Sequence, residues 1–119
     1  MKRIIFNLKR EWYDKIASGE KTVEYRKISE HWLSRLTFTE FAKAFAREGK
    51  YMWSLEKCKG PDVFAVFRLG YSRKHPDIVR RIVKIDIGSC PYEGWDGEYF
   101  RIHFEPNVVR PSGLEGAAK

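Results

Sequence analysis

The stretch Val63-Phe64-Ala65-Val66-Phe67-Arg68-Leu69-Gly70-Tyr71 constrains this chain more than any other. It is nearly continuous in apolar side chains and of strand length, so it must be covered on both faces and belongs in the centre of a sheet. A chain of 119 residues has room for one such core and not two. The remaining elements therefore have to arrange themselves around this strand.

They can be read off in order. Lys2 to Leu8 is rich in β-branched and apolar residues and predicts a first strand. Glu11 to Ser18 predicts a short helix, with Trp12 and Ile16, and Tyr13 and Ala17, at i, i+4 spacing and Gly19 as its stop. Thr22 to Arg26 predicts a strand that places Val23 and Tyr25 on one face and Thr22, Glu24 and Arg26 on the other. Ser29 can cap a helix holding Trp32, Leu33 and Leu36. Thr37 and Glu40 form a capping-box pattern ahead of Phe41, Ala42, Phe45 and Ala46, with Gly49 closing that helix. Tyr51 to Gly60 reads as a loop and Ser72 to Pro76 as a turn. Ile78 to Ile87 predicts a long strand and Gly88 to Gly97 a loop. In Tyr99 to Glu105, Phe100, Ile102 and Phe104 alternate with Tyr99, Arg101, His103 and Glu105, the mark of a half-buried strand. From Pro106 the pattern is lost. The order β-α-β-α-α-β-β-β implies an α+β fold: one domain over residues 1–105, with a mixed, strongly curved sheet and two to three short helices, followed by a flexible tail over 106–119.

Several functional classes are disfavoured by composition. No apolar run approaches the roughly 18 residues of a membrane span. Met1 to Asn7 lacks the long apolar region of a secretion signal, so a cytoplasmic location without membrane attachment is expected. Cys58 and Cys90 are too few for a disulfide framework and read as reduced, buried thiols. His31, His75 and His103 have no metal-ligand spacing, and neither a metal nor another cofactor is expected. Lys and Arg number 23 against 16 Asp and Glu, for a net charge of +7, and the excess is uneven. Residues 1–60 hold 14 basic and 8 acidic side chains, residues 61–119 hold 9 and 8. An anionic partner is thus expected on the first half, with nucleic acid favoured over membrane.

Within that half, residues 9–27 carry the most distinctive pattern, a helix ending in Ser18-Gly19 followed by Lys21, Glu24 and Arg26. Glu24 and Arg26 share a strand face and can pair. A Lys beside such a pair in a cleft can hold a phosphate, polarise a base carbonyl or act as a general base. A solvated Lys21 beside a purely structural Glu24–Arg26 brace is the alternative.

This segment resembles the opening of ASCH domains, small β-barrels of the PUA-like superfamily, whose Gly-x-Lys-x-x-Glu-x-Arg pattern is matched by Gly19, Lys21, Glu24 and Arg26. Phe67-Arg68-Leu69-Gly70-Tyr71 looks like the family's central strand and Gly-Tyr turn, and Val83–Gly88 and Trp95–Phe104 are similar to its closing strands. The resemblance implies a PUA-like barrel that binds RNA or a nucleotide-like small molecule in a cleft built from Lys9, Lys21, Glu24, Arg26, Trp32, Arg68 and Tyr71. It also implies an alternative, since some relatives are ribonuclease-like and others are amidohydrolases acting on acylated cytidine with a Lys, a Thr and a Glu. Their Lys matches Lys21, but this sequence has Glu24 where they have the Thr. An enzyme here would use Lys21 as base, oriented by Glu24. Trp12, Trp53, Trp95, Tyr25 and Tyr99 are further stacking candidates, although packing is the commoner role for each. Arg73-Lys74-His75 and Arg80-Arg81 read as solvated basic clusters. Oligomeric state is left open.

Overall fold

A computed structural model of the chain describes residues 2–37, 43, 47, 53–55, 62–70 and 74–106. Among them are six strands and two helices: β1 (Lys2–Leu8), α1 (Arg10–Ala17), β2 (Val23–Lys27), α2 (Glu30–Leu36), β3 (Trp53–Ser54), β4 (Val63–Leu69), β5 (Ile78–Ser89) and β6 (Glu98–Phe104). The strands form one mixed sheet in the order β1-β4-β5-β6-β2, with β3 pairing β5 off that path. β1 and β4 are parallel, whereas β4–β5, β5–β6, β2–β6 and β3–β5 are antiparallel. The fold is a small α+β protein whose sheet curls into a half-barrel.

The apolar run takes the interior position expected of it. Val63 to Phe67 are all buried, and β4 lies between β1 and β5. Phe6, Phe67, Ile82, Ile85, Phe100 and Ile102 are completely buried in the core inside the curled sheet. Curling comes from the ordinary twist of strands, reinforced by a register shift in β5 between Ile82 and Lys84. Phe100, Ile102 and Phe104 are buried while their neighbours in β6 are not, as the alternation requires. The two ends of the strand order, β1 and β2, are not hydrogen-bonded to one another as strands, so the half-barrel has a seam.

Expectation and structure differ in four places. Tyr51–Gly60 holds a two-residue strand, because Trp53 is drawn into the core beside β5, opposite Ile85. That removes Trp53 as a stacking candidate. Helix α1 begins at Arg10, and β5 extends to Ser89. The largest correction concerns Arg80, which is not solvated but 4% exposed. Its Nη2 donates to the Ile16 carbonyl at the end of α1 (3.3 Å) and its Nη1 to Val79 O (3.1 Å), while Nε lacks a partner among the described residues. Burial lowers the Arg80 pKa from its ordinary value. A guanidinium at a helix C-terminus complements the carbonyl dipoles there, and its stem packs under α1. Neighbouring Arg81 is half-buried rather than fully solvated, and pairs with Asp62 at 2.8 Å. The third expected helix lies largely outside the described residues, where Lys43 and Arg47 are helical. Tyr71, Arg73, Cys58 and the 107–119 tail are also outside them. Cys90 is a half-buried free thiol.

The role given to Arg80 has a consequence for stability. Ile16 O also accepts from Gly19 N–H (3.1 Å), so removing the guanidinium strands no carbonyl there. Arg80→Met, which keeps the stem, is expected to stay within about 1 kcal/mol of wild type. Arg80→Ala, which leaves a void beneath α1, is expected to cost about 2–4 kcal/mol. Urea denaturation of both variants measures the difference.

Candidate functional site

The seam between β1 and β2 opens into a cleft of about 560 Å³. Gly19 initiates its construction. With φ at +87° it reverses the chain after α1, a geometry that glycine adopts without steric cost. Lys21 N–H then bonds back to Lys15 O at 3.0 Å, which fixes the backbone from which the Lys21 side chain departs. Two residues on, β2 presents Glu24 and Arg26 to the concave side, opposite Ile102 and Phe100 of β6.

These three side chains meet in one relay. Lys21 Nζ lies 2.8 Å from Glu24 Oε1. Arg26 approaches Glu24 Oε2 with Nη2 at 2.7 Å and Nε at 2.8 Å. Both carboxylate oxygens are therefore engaged by cations. Arg26 Nη2 also donates to Asn7 O at 3.0 Å, which ties β2 to β1 across the seam. The side chains of Lys21 and Glu24 are only 8% and 5% exposed. Ions this buried need partners to offset their lost hydration, and each has one.

Aromatic rings flank the relay on both sides. Trp32 of α2 lies parallel to core Phe6, with centroids 5.1 Å apart and planes within 8°. The Arg26 guanidinium sits 4.8 Å from the Trp32 ring and 5.3 Å from Phe6. On the other side Trp12 stacks on Tyr92 at 4.9 Å, and Lys21 Nζ is 4.4 Å from the Trp12 ring and 5.6 Å from that of Tyr92. Cation–π contacts of this kind hold the ammonium by electrostatic attraction to the ring faces. An ammonium has three donors, and the hydrogen-bond partner Lys21 has here is Glu24. Tyr25, Trp95 and Tyr99 continue the aromatic wall through Tyr92, by contacts of 5.4–5.7 Å. Burial, assisted by Tyr25, Cys90 and Glu24, pushes the Tyr92 hydroxyl up to about 12, so it remains a neutral donor. Burial likewise raises Tyr25.

Of the residues singled out in the sequence, the cleft brings together Lys9, Lys21, Glu24, Arg26 and Trp32. Lys9 stands exposed at the mouth, just before α1. Arg68 is not among the lining residues and instead pairs with Asp77 at 3.1 Å. Tyr71 lies outside the described residues. Trp12, Trp95, Tyr25 and Tyr99 do line the cleft, whereas Asn7, Lys27 and Tyr92 line it without having been singled out. The signal for Tyr92 was its setting, since Tyr92 and Trp95 flank a glycine in a loop and such aromatics have no strand face to pack on. Among the described residues no three His, Cys, Asp or Glu side chains gather in a way that could hold a metal ion, and no helix is long and apolar enough to cross a membrane.

Comparisons of the chain with protein-family models, with curated proteins and with solved structures return no match. Residue chemistry thus has to support any functional reading.

Glu24 is the member of the relay whose loss matters most, because two cations depend on it. Glu24→Gln is expected to destabilise the fold by about 3 kcal/mol or more, by leaving Lys21 buried without a counter-charge. Lys21→Met, which leaves Glu24 paired with Arg26, is expected to cost less. Chemical denaturation at neutral pH compares the two, and the reverse order would contradict the arrangement.

Proposed function

We propose that the chain binds RNA or a nucleotide-like small molecule in this cleft, as its resemblance to ASCH domains implies, with a PUA-like barrel as the architecture. The observation that carries the proposal is a cationic floor set between two aromatic banks. Lys21, Glu24 and Arg26 sum to one positive charge, and Lys9 and Lys27 add two at the rim. The ligand that suits such a site is anionic at one end and flat at the other. A base can stack on an indole or phenol face, and a phosphate can sit by the rim lysines. On this reading the Lys21 ammonium, which has donors beyond the one it gives Glu24, donates to a base carbonyl. A cleft of about 560 Å³ falls within the usual range for small-ligand sites and can admit one nucleotide.

The hydrolytic alternative requires Lys21 to take up a proton while Glu24 orients it. Glu24 already accepts hydrogen bonds on both oxygens from cations, an arrangement that favours holding a ligand over moving a proton. We therefore carry the binding reading.

Titration with single-stranded RNA tests it. Wild-type affinity is expected to fall as salt rises. Trp32→Ala is expected to weaken binding about tenfold, in line with the loss of one stacked base, and Lys21→Ala to weaken it at constant salt. Equal binding by wild type and both variants would contradict the proposal, as would an absence of binding.

A further inference from the structure

The cleft does not end at the seam, because β2 is an edge strand and three of the lining residues stand on its outer side or beside it. The registers of β2, β6 and β5 place residues in rows across the convex face. One row is Lys27, Tyr99, Gly88. The next is Tyr25, Arg101, Asp86, and the third is Val23, His103, Lys84. Lys27, Tyr99 and Tyr25 line the cleft, so its wall and this face form one continuous surface.

Lys27, Arg101 and Lys84 lie on the diagonal of these rows. Diagonal neighbours on adjacent strands are about 7–8 Å apart, comparable to the spacing of successive phosphates along an extended single strand. The middle cation is held in place. Arg101 Nε and Nη2 donate to Asp86 Oδ1 and Oδ2 at 2.8 and 3.0 Å. Its guanidinium occupies the space above Gly88, where an added Cβ would lie 2.4 Å from Arg101 Cζ. His103 Nε2 (3.1 Å) and Lys84 Nζ (3.4 Å) complete the ring of basic groups around Asp86. Burial on its own would raise the Asp86 pKa, but the hydrogen bonds and charges of Arg101 and His103 outweigh it and hold the carboxyl below its usual value. Three cations against one carboxylate leave the diagonal at +2, before any charge on His103. Glu105, just past the end of β6, is the next residue on this face after His103 and brings one negative charge to the end of the track.

We propose that the convex face of β2, β6 and β5 is a backbone track for single-stranded RNA, with Lys27, Arg101 and Lys84 contacting successive phosphates of a strand whose base occupies the cleft. The proposal rests on the nucleotide reading of the cleft and extends it from one nucleotide to a strand of at least three. Asp86 serves as the anchor that fixes Arg101, and Gly88 gives the guanidinium its seat.

A nucleoside 5′-monophosphate and a single-stranded octaribonucleotide of the same base separate the two ideas. Arg101→Gln/Lys84→Gln should leave the monophosphate affinity unchanged, which also shows that the variant is folded. It should weaken the octamer about fivefold at low salt and make the salt slope shallower by about 1.4, the loss of two phosphate contacts. The single change Lys84→Gln, which leaves Arg101 and His103 on Asp86, should weaken the octamer alone. If wild type binds the octamer no more tightly than the monophosphate, or if the variants bind the octamer as wild type does, the track is refuted and the cleft reading stands. If wild type binds neither ligand, both fall.

Discussion

The cleft depends on one buried carboxylate. Glu24 lies at a place where the sheet leaves β1 and β2 unpaired, and it is nearly inaccessible to water. A carboxylate there is tolerable only with strong partners. Lys21 and Arg26 supply them from either side, and Arg26 extends the chain of contacts to Asn7 on β1. Hydrogen bonds through one side chain thus span an opening that a barrel would otherwise close with a strand ladder. A gap bridged in this way remains a gap, with room for a ligand and a fixed charge beneath it.

The aromatic banks follow from the same arrangement. Each cation of the relay lies against a ring face, Lys21 against Trp12 and Arg26 against Trp32. Trp32 is in turn fixed by its parallel contact with Phe6, a core residue. The rings are therefore positioned by the fold itself, which under the proposed reading lowers the ordering cost of binding. On the opposite bank Tyr92 and Trp95 belong to a loop, with Gly94 and Gly97 at positive φ. Such a loop can carry aromatic side chains out to the rim where a strand would have turned alternate ones inward.

Much of the fold was legible because period and polarity were unambiguous. The unbroken run in β4 and the strict alternation in β6 each have one sensible burial pattern, and both took it. The spacing of Lys21, Glu24 and Arg26 was legible for a different reason: Glu24 and Arg26 two apart on a strand must share a face. Other features depend on tertiary packing that no local pattern encodes. Arg80 follows Val79 on a strand and looks like surface, but the residue overhead is the carbonyl end of α1. Trp53 makes a strand of two residues, too short for any period to register. Arg68 has the right chemistry for the site but stands beside Asp77 rather than at the cleft. Tyr92 reaches the cleft from a segment remote in sequence, through contacts with Trp12 and Tyr25.

The four tryptophans make the central claim directly measurable. Trp12, Trp32 and Trp95 line the cleft, while Trp53 is in the core away from it. In a ¹H–¹⁵N NMR titration with a nucleoside 5′-monophosphate, the indole signals of Trp12 and Trp32 should shift in saturable fashion, and that of Trp53 should not. Shifts confined to backbone amides far from the seam, with the Trp12 and Trp32 indoles unmoved, would contradict the account.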